Sequence, residues 1–99
     1  MVKHIIIWDF KDELTAEQKK SAAQRMKTEL EALVGVIEGL KSLHVATDLL
    51  GSSNGDITLD SEFEDEKALA YYADHPEHVK IKEFVRTVVK ARKCADYKI

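Results

Sequence analysis

Two imidazoles and a phenol crowd one short segment, Tyr72-Ala73-Asp74-His75-Pro76-Glu77-His78-Val79. An imidazole can take up a proton near neutral pH, and a phenol beside it can orient it or donate to a developing enolate oxygen. Pro76 pushes the residue before it out of helical angles and opens a new helix at its own position. Tyr72 then falls in the last turn of one helix and His78 in the first turn of the next. Both can point beneath that corner, towards a strand strip carrying His4, Ile6 and Trp8, and outline a small pocket. Met26, Leu59, His75 and Phe84 complete the expected lining. The same residues also have a structural reading. His75 can cap the helix that Pro76 opens, His78 can be a half-buried, hydrogen-bonded histidine, and Trp8, Met26 and Phe84 can fill the space as core.

His75-x-x-His78 supplies only two metal ligands, and a stable zinc or iron centre needs a third that the linear sequence does not identify. His4, among Ile, Trp and Phe, could join them in space but reads as a core histidine with one nitrogen satisfied. No metal and no cofactor are therefore expected. A phosphate-cradling glycine loop, a serine-nucleophile elbow and a thioredoxin-like cysteine pair are all absent from the sequence. Cys94, the single cysteine, reads as a small buried hydrophobe at the start of the last strand. His44 is peripheral.

The positioning elements follow from periodicity. From Val2 to Phe10 two largely apolar sets alternate, His4, Ile6, Trp8 and Phe10 against Ile5 and Ile7, so this strand wants cover on both faces. Thr15-Ala16-Glu17-Gln18 is a capping box, and Ala22, Ala23, Met26, Leu30 and Leu33 form the inward stripe of a helix ending near Gly35. Lys41 to Asp48 and Asp56 to Phe63 alternate as strands, joined as an antiparallel hairpin by Asn54-Gly55, which tolerates positive φ at both positions. Asp65 caps a short helix with Leu69 and Tyr72 on its buried side. The helix after Pro76 buries Ile81, Phe84, Val85 and Val88, with Lys82, Arg86, Lys90 and Lys93 along an exposed edge. Lys93 to Ile99 closes the chain as a strand.

The order β-α-β-β-α-β, with its second helix broken at Pro76, is the α+β ferredoxin-like arrangement: a four-stranded antiparallel sheet with both helices on one face. Ile5 and Ile7 then lie on the uncovered face, and an apolar strip at the centre of a sheet is the kind of patch that marks association. A homodimer is expected, two sheets meeting about a two-fold axis. Asp60 and Glu62 share that face by alternation and need Lys, Tyr or water partners.

Ninety-nine residues allow one domain, residues 1–99, and one core. Fifteen Lys+Arg against 18 Asp+Glu give a net charge of −3, the wrong balance for a nucleic-acid or anionic-membrane binder. The opening apolar run ends at Asp9, short of a signal peptide or membrane span, and one cysteine suits a reducing compartment, so a cytoplasmic protein is expected. The central strands lack the paired stacking aromatics of an RNA-recognition module.

Val2-Lys3-His4-Ile5-Ile6-Ile7-Trp8-Asp9-Phe10-Lys11, Gly39-Leu40-Lys41-Ser42-Leu43, Ser61-Glu62-Phe63, the His75-Pro76-Glu77-His78-Val79 corner and Asp96-Tyr97 together resemble the stress-responsive A/B barrel (Dabb) family over nearly the full length. The resemblance implies a dimeric α+β barrel, in a family most of whose members have no assigned reaction. A catalytic branch, the polyketide cyclases of the olivetolic acid cyclase type, uses a corner tyrosine and histidine for aldol closure. Matching motifs would put those roles on Tyr72 and His78, with His4 as a pocket histidine. Ala22, Ala23 and Met26 stand where that branch has bulky aromatics, Lys80 and Lys82 where it has glycines, and Val89 where it has tryptophan. A different pocket shape follows. The reading carried forward is a dimeric Dabb protein holding a small apolar ligand between helices and sheet, with a cyclase-like enzyme as the alternative.

Overall fold

The computed structural model describes all of residues 1–99. Its elements are β1 (Val2–Phe10), α1 (Ala16–Glu31), β2 (Leu40–Ala46), β3 (Ile57–Phe63), α2 (Glu66–Asp74), α3 (Pro76–Val88) and β4 (Val89–Lys98). The strands form one sheet in the order β2-β3-β1-β4, every neighbouring pair antiparallel. This is the ferredoxin-like arrangement expected, with the second helical segment split at Pro76.

Alternation on β1 sorts the two faces. Val2, His4, Ile6, Trp8 and Phe10 are buried beneath the helices, while Lys3, Ile5, Ile7 and Asp9 are half-buried on the other side. Ile57, Leu59, Ser61 and Phe63 of β3 join the helix-covered face. α1 contributes Ala22, Ala23, Met26 and Leu30. Its start is the expected capping box: the Gln18 N–H donates to Thr15 Oγ1 at 3.1 Å and the Thr15 N–H donates to Gln18 Oε1 at 2.8 Å. Regular helix stops at Glu31, and two turns through Gly35 (φ +88°) and Gly39 (φ +90°) swing Leu33 and Ile37 into the core.

At the sheet edge, Glu31 accepts from the Val45 N–H (2.9 Å) and Lys27 donates to the Val45 carbonyl (2.9 Å) and to Glu31 (2.8 Å). Two helix side chains thus occupy the backbone groups that Val45 of β2 would otherwise offer to another strand. Burial pushes the Glu31 carboxyl up, but Lys27 and the Val45 N–H outweigh it and hold it below the usual carboxylate range.

Three local expectations fail. No residue other than Gly35 and Gly39 has positive φ, so Asn54-Gly55 is not a tight hairpin turn. β2 and β3 are antiparallel but joined by ten residues, 47–56. The loop is tied to the end of β1 instead: the Asp56 N–H donates to the Trp8 carbonyl and its carboxylate accepts from the Phe10 N–H, each at 2.9 Å. Gly55 presses so close that a Cβ there would lie 2.3 Å from Ile7 Cγ1. Secondly, α3 ends at Val88, so Lys90 and Lys93 belong to β4 rather than to a helix edge, and Lys90 reaches Asp12 at 2.7 Å. Val89 turns extended because β4 pairs with β1 from Phe10 back to Val2. Thirdly, Cys94 is exposed, because the helices cover β1 and β3 and leave the edge strand β4 open.

The other face carries Ile5 and Ile7 of β1, Thr58, Asp60 and Glu62 of β3, and Lys93, Ala95 and Tyr97 of β4. Lys3 supplies the partner that the acids need, 2.7 Å from Asp60 and 3.6 Å from Glu62. No helix of the chain is long and apolar enough to cross a membrane.

Candidate functional site: a histidine and tyrosine cavity between helices and sheet

Asp65 caps α2 by accepting from the Ala68 N–H at 2.8 Å, and that helix delivers Tyr72 to the core at 2% exposure. At the corner, His75 caps α3: its Nδ1 accepts from the Glu77 N–H at 3.1 Å. Pro76 at the first helical position fixes the turn, and His78 follows in that first turn. Tyr72 and His78 stack, ring centroids 4.0 Å apart and planes 26° off parallel. Phe63 meets the other side of Tyr72 edge-on at 4.9 Å.

Tyr72 and His78 open onto a cavity of about 410 Å³. Its floor is His4, Ile6 and Trp8 of β1 with Leu59 of β3, and its walls come from Leu30, Leu69, Tyr72, Ala73, His78 and Val85. Lys82, Arg86, Val89 and Arg92 complete it. The volume lies within the range of small-molecule sites, roughly 300–1,000 Å³. Of the lining expected from sequence, His4, Ile6, Trp8, Leu59, Tyr72 and His78 are brought together. Met26, His75 and Phe84 are not. Met26 is sealed in the core at 0% exposure. His75 is turned to its cap and meets Tyr71 edge-on at 5.4 Å, and Phe84 lies under the Arg25 guanidinium at 3.8 Å. Leu30, Leu69, Ala73, Lys82, Val85, Arg86 and Val89 line the cavity beyond that expectation; Lys82, Val85 and Arg86 follow His78 at steps of three and four along α3. Arg92 could be found only from the β1–β4 register, which sets it opposite Trp8.

The protonation states follow from the partners. His78 Nδ1 lies 3.2 Å from the Ala73 carbonyl; a carbonyl only accepts, so Nδ1 carries the proton and Nε2 keeps its lone pair. Burial pushes the His78 pKa below the ordinary histidine value, with Lys82 and His4 acting the same way against its backbone hydrogen bonds. Its ring is neutral at pH 7. Burial drives the Tyr72 phenol well above the usual range, and Arg92 only partly offsets this. It stays protonated. The Tyr72 hydroxyl has no protein partner and is not fully buried, since no fully buried polar side-chain atom of the chain lacks a partner. A neutral imidazole and a phenol donor thus line one cavity.

His4 is held from behind. Its Nδ1 lies 2.5 Å from Asp96 Oδ1, the residue opposite it on β4, so the ring donates there and its Nε2 is left as the free nitrogen. Cys94 Sγ donates to the same carboxylate at 3.3 Å. Burial raises the Asp96 pKa, but the His4 and Cys94 hydrogen bonds outweigh it and the net shift is downward. The Cys94 thiol is pushed up, by burial and then by Asp96. His4, Cys94 and Asp96 also place three potential metal donors within 4.8 Å of one another, each donor already engaged with another of the three. His75 and His78, the pair with ligand spacing in sequence, are committed to separate backbone partners. His44 stays at the periphery, its side chain 69% exposed and 3.4 Å from Glu31.

The model of the stress responsive A/B barrel domain, Dabb, matches residues 2–99. The chain belongs to the Dabb family. Among solved structures, a dimeric protein of unknown function with a ferredoxin-like fold from Bacteroides fragilis is 30% identical, with a TM-score of 0.92 over 99% of this chain and 95% of that one. A crystal structure of an Arabidopsis thaliana protein is 26% identical, with a TM-score of 0.81 over 100% of this chain and 95% of the other. A hydroxynitrile lyase from Passiflora edulis shares the fold at 16% identity and a TM-score of 0.78, covering 99% and 92%. A search of the curated proteins returned no match. The Dabb resemblance and the ferredoxin-like fold read from the sequence are both borne out.

Proposed function

We propose that this Dabb protein is a homodimer that holds a small, mainly apolar organic molecule in the cavity between helices and sheet. The carrying observation is that cavity: about 410 Å³, lined mostly by apolar side chains, with His4, Tyr72 and His78 and the cations Lys82, Arg86 and Arg92 as its polar groups. Apolar walls supply the driving force and the few polar groups fix orientation, the usual division of labour in small-molecule sites. The dimer is supported by the uncovered Ile5–Ile7 face and by the dimeric Bacteroides fragilis relative. Association there leaves the cavity free, because it opens on the opposite side of the same sheet. Trp8, the only tryptophan, lines the cavity and makes a built-in reporter. Titration with 1-naphthol is expected to quench it saturably, and Val85→Phe, which fills the cavity, is expected to abolish the effect. No saturable change in the wild-type protein would rule the reading out.

A second reading is favoured by the Tyr72–His78 stack: a proton-transfer enzyme of the polyketide-cyclase kind. His78 Nε2 would take the proton from a carbon next to a carbonyl, and the resulting enolate oxygen would accept from the Tyr72 hydroxyl. Ring closure by attack of that carbon on a second carbonyl would follow. The test is hydrogen–deuterium exchange at the central carbon of an aryl 1,3-diketone in D2O. Acceleration lost in His78→Gln and reduced in Tyr72→Phe supports catalysis; no acceleration by the wild type leaves binding alone.

A further inference from the structure

Three cations line the cavity and no carboxylate does: Lys82 and Arg86 one helical turn apart on α3, and Arg92 on β4. This is a departure from a chain in which acids outnumber bases, 18 to 15. These cations are also largely unspent. Lys82, half-buried, and Arg92 take part in no ion pair, and Arg86 has only the exposed Glu83, at 3.4 Å. Outside the cavity, Lys3 pairs with Asp60, Arg25 with Glu29, Lys27 with Glu31 and Lys90 with Asp12, all within 2.8 Å, while other lysines such as Lys11, Lys19 and Lys41 pair with none; what sets the cavity apart is three cations on one lining without an acid among them. Asp96, on the same face of β4 as Arg92, is committed to His4 and Cys94. The lining itself thus supplies no anion to these three cations.

We infer that the cavity takes an amphipathic organic anion, its apolar body against Ile6, Trp8, Leu59 and Val85 and its carboxylate between Lys82, Arg86 and Arg92. This deepens the ligand-binding reading above and rests on it. A carboxylate suits two guanidiniums, whose planar forks can each donate two parallel hydrogen bonds, and a lysine adds an unshared point charge. Beside low-dielectric apolar walls such an ion pair is screened less than on an open surface. The head group then lies on the α3–β4 side, and the body extends towards Tyr72 and His78.

Three probes of equal chain length test this: decanoate, 1-decanol and decyltrimethylammonium, followed by Trp8 fluorescence and titration calorimetry at pH 7.5 in 50 mM NaCl. Decanoate is expected to bind at least tenfold more tightly than decanol, and the ammonium more weakly than either. Lys82→Gln and Arg92→Gln, their folding checked by circular dichroism, are expected to weaken decanoate three- to tenfold each and decanol by less than twofold. Raising NaCl to 0.5 M should narrow the gap between acid and alcohol. If decanol and decanoate bind alike, or both variants keep wild-type decanoate affinity, the anion clamp is wrong and the cavity still stands as a ligand site. If no probe binds, the cavity reading falls and the clamp with it.

Discussion

Gly35 and Gly39 form a controlled pair for testing how the turns after α1 set the cavity wall. Both hold positive φ, +88° and +90°, but a Cβ at Gly35 would meet nothing within 4 Å while one at Gly39 would lie 2.5 Å from Ala68 Cβ. Substitution by alanine imposes the same left-handed strain in each, about 1–2 kcal/mol, offset in each by roughly 0.4–1 kcal/mol from a stiffer unfolded chain. Only Gly39→Ala adds a collision with α2, and forced overpacking of this kind costs about 1–3 kcal/mol. For a domain of this size 1 kcal/mol moves Tm by roughly 4–8 °C. Gly39→Ala should therefore melt at least about 4 °C below Gly35→Ala, measured by circular dichroism at one protein concentration. The functional consequence follows from helix geometry. Ala68 lies one turn before Tyr72, so pushing α2 outward displaces Tyr72 and Leu69 from the cavity wall. Naphthol quenching of Trp8 should weaken in Gly39→Ala and persist in Gly35→Ala. Equal melting temperatures would refute the argument, because they would mean that α2 does not rest on Gly39.

Asp96→Ala strips the partner from His4 Nδ1, a ring only 6% exposed. It should lower stability by about 1–3 kcal/mol, while Asp96→Asn, whose amide oxygen can still accept, loses less; urea melts separate the two. His78 should titrate below the ordinary histidine range in an NMR pH series, because burial disfavours its charged form. Its folded pKa is the lowered one, so the associated stability is complete above about pH 6.5 and is lost as pH falls through the folded value. His78→Gln should shrink the stability difference between pH 7.5 and pH 5, and an unchanged difference would place the effect elsewhere. Thr15→Ala removes the side-chain acceptor of the α1 capping box and should cost about 1 kcal/mol with ligand quenching intact.

What could be read from the chain in advance was what local chemistry decides. The alternation of β1, the Thr15 and Asp65 caps and the Pro76 corner each act within a few residues, and each appears as expected. Tyr72, His78 and the β1 strip met for the same reason. The errors lie where distant pairing overrides local preference. Asn54-Gly55 carries hairpin chemistry, yet Asp56 bonds to the end of β1 and the turn never forms. Val89 to Lys93 could have extended a helix, but β1 offers a free edge from Phe10 to Val2 and takes them as strand. Cys94 is apolar enough to bury, but its strand lies beyond the helices. The same register brought Arg92 to the cavity and Asp96 to His4, and neither contact has a signature within its own segment.

The division of the sheet into a pairing face and a ligand face is tested most directly by light scattering at micromolar concentration on the wild-type protein and on Ile5→Lys. The wild type should scatter as a particle of twice the chain mass of 11.2 kDa, and Ile5→Lys should fall towards a single chain. A wild-type particle of one chain mass would contradict the account, since Ile5 and Ile7 would then have no partner.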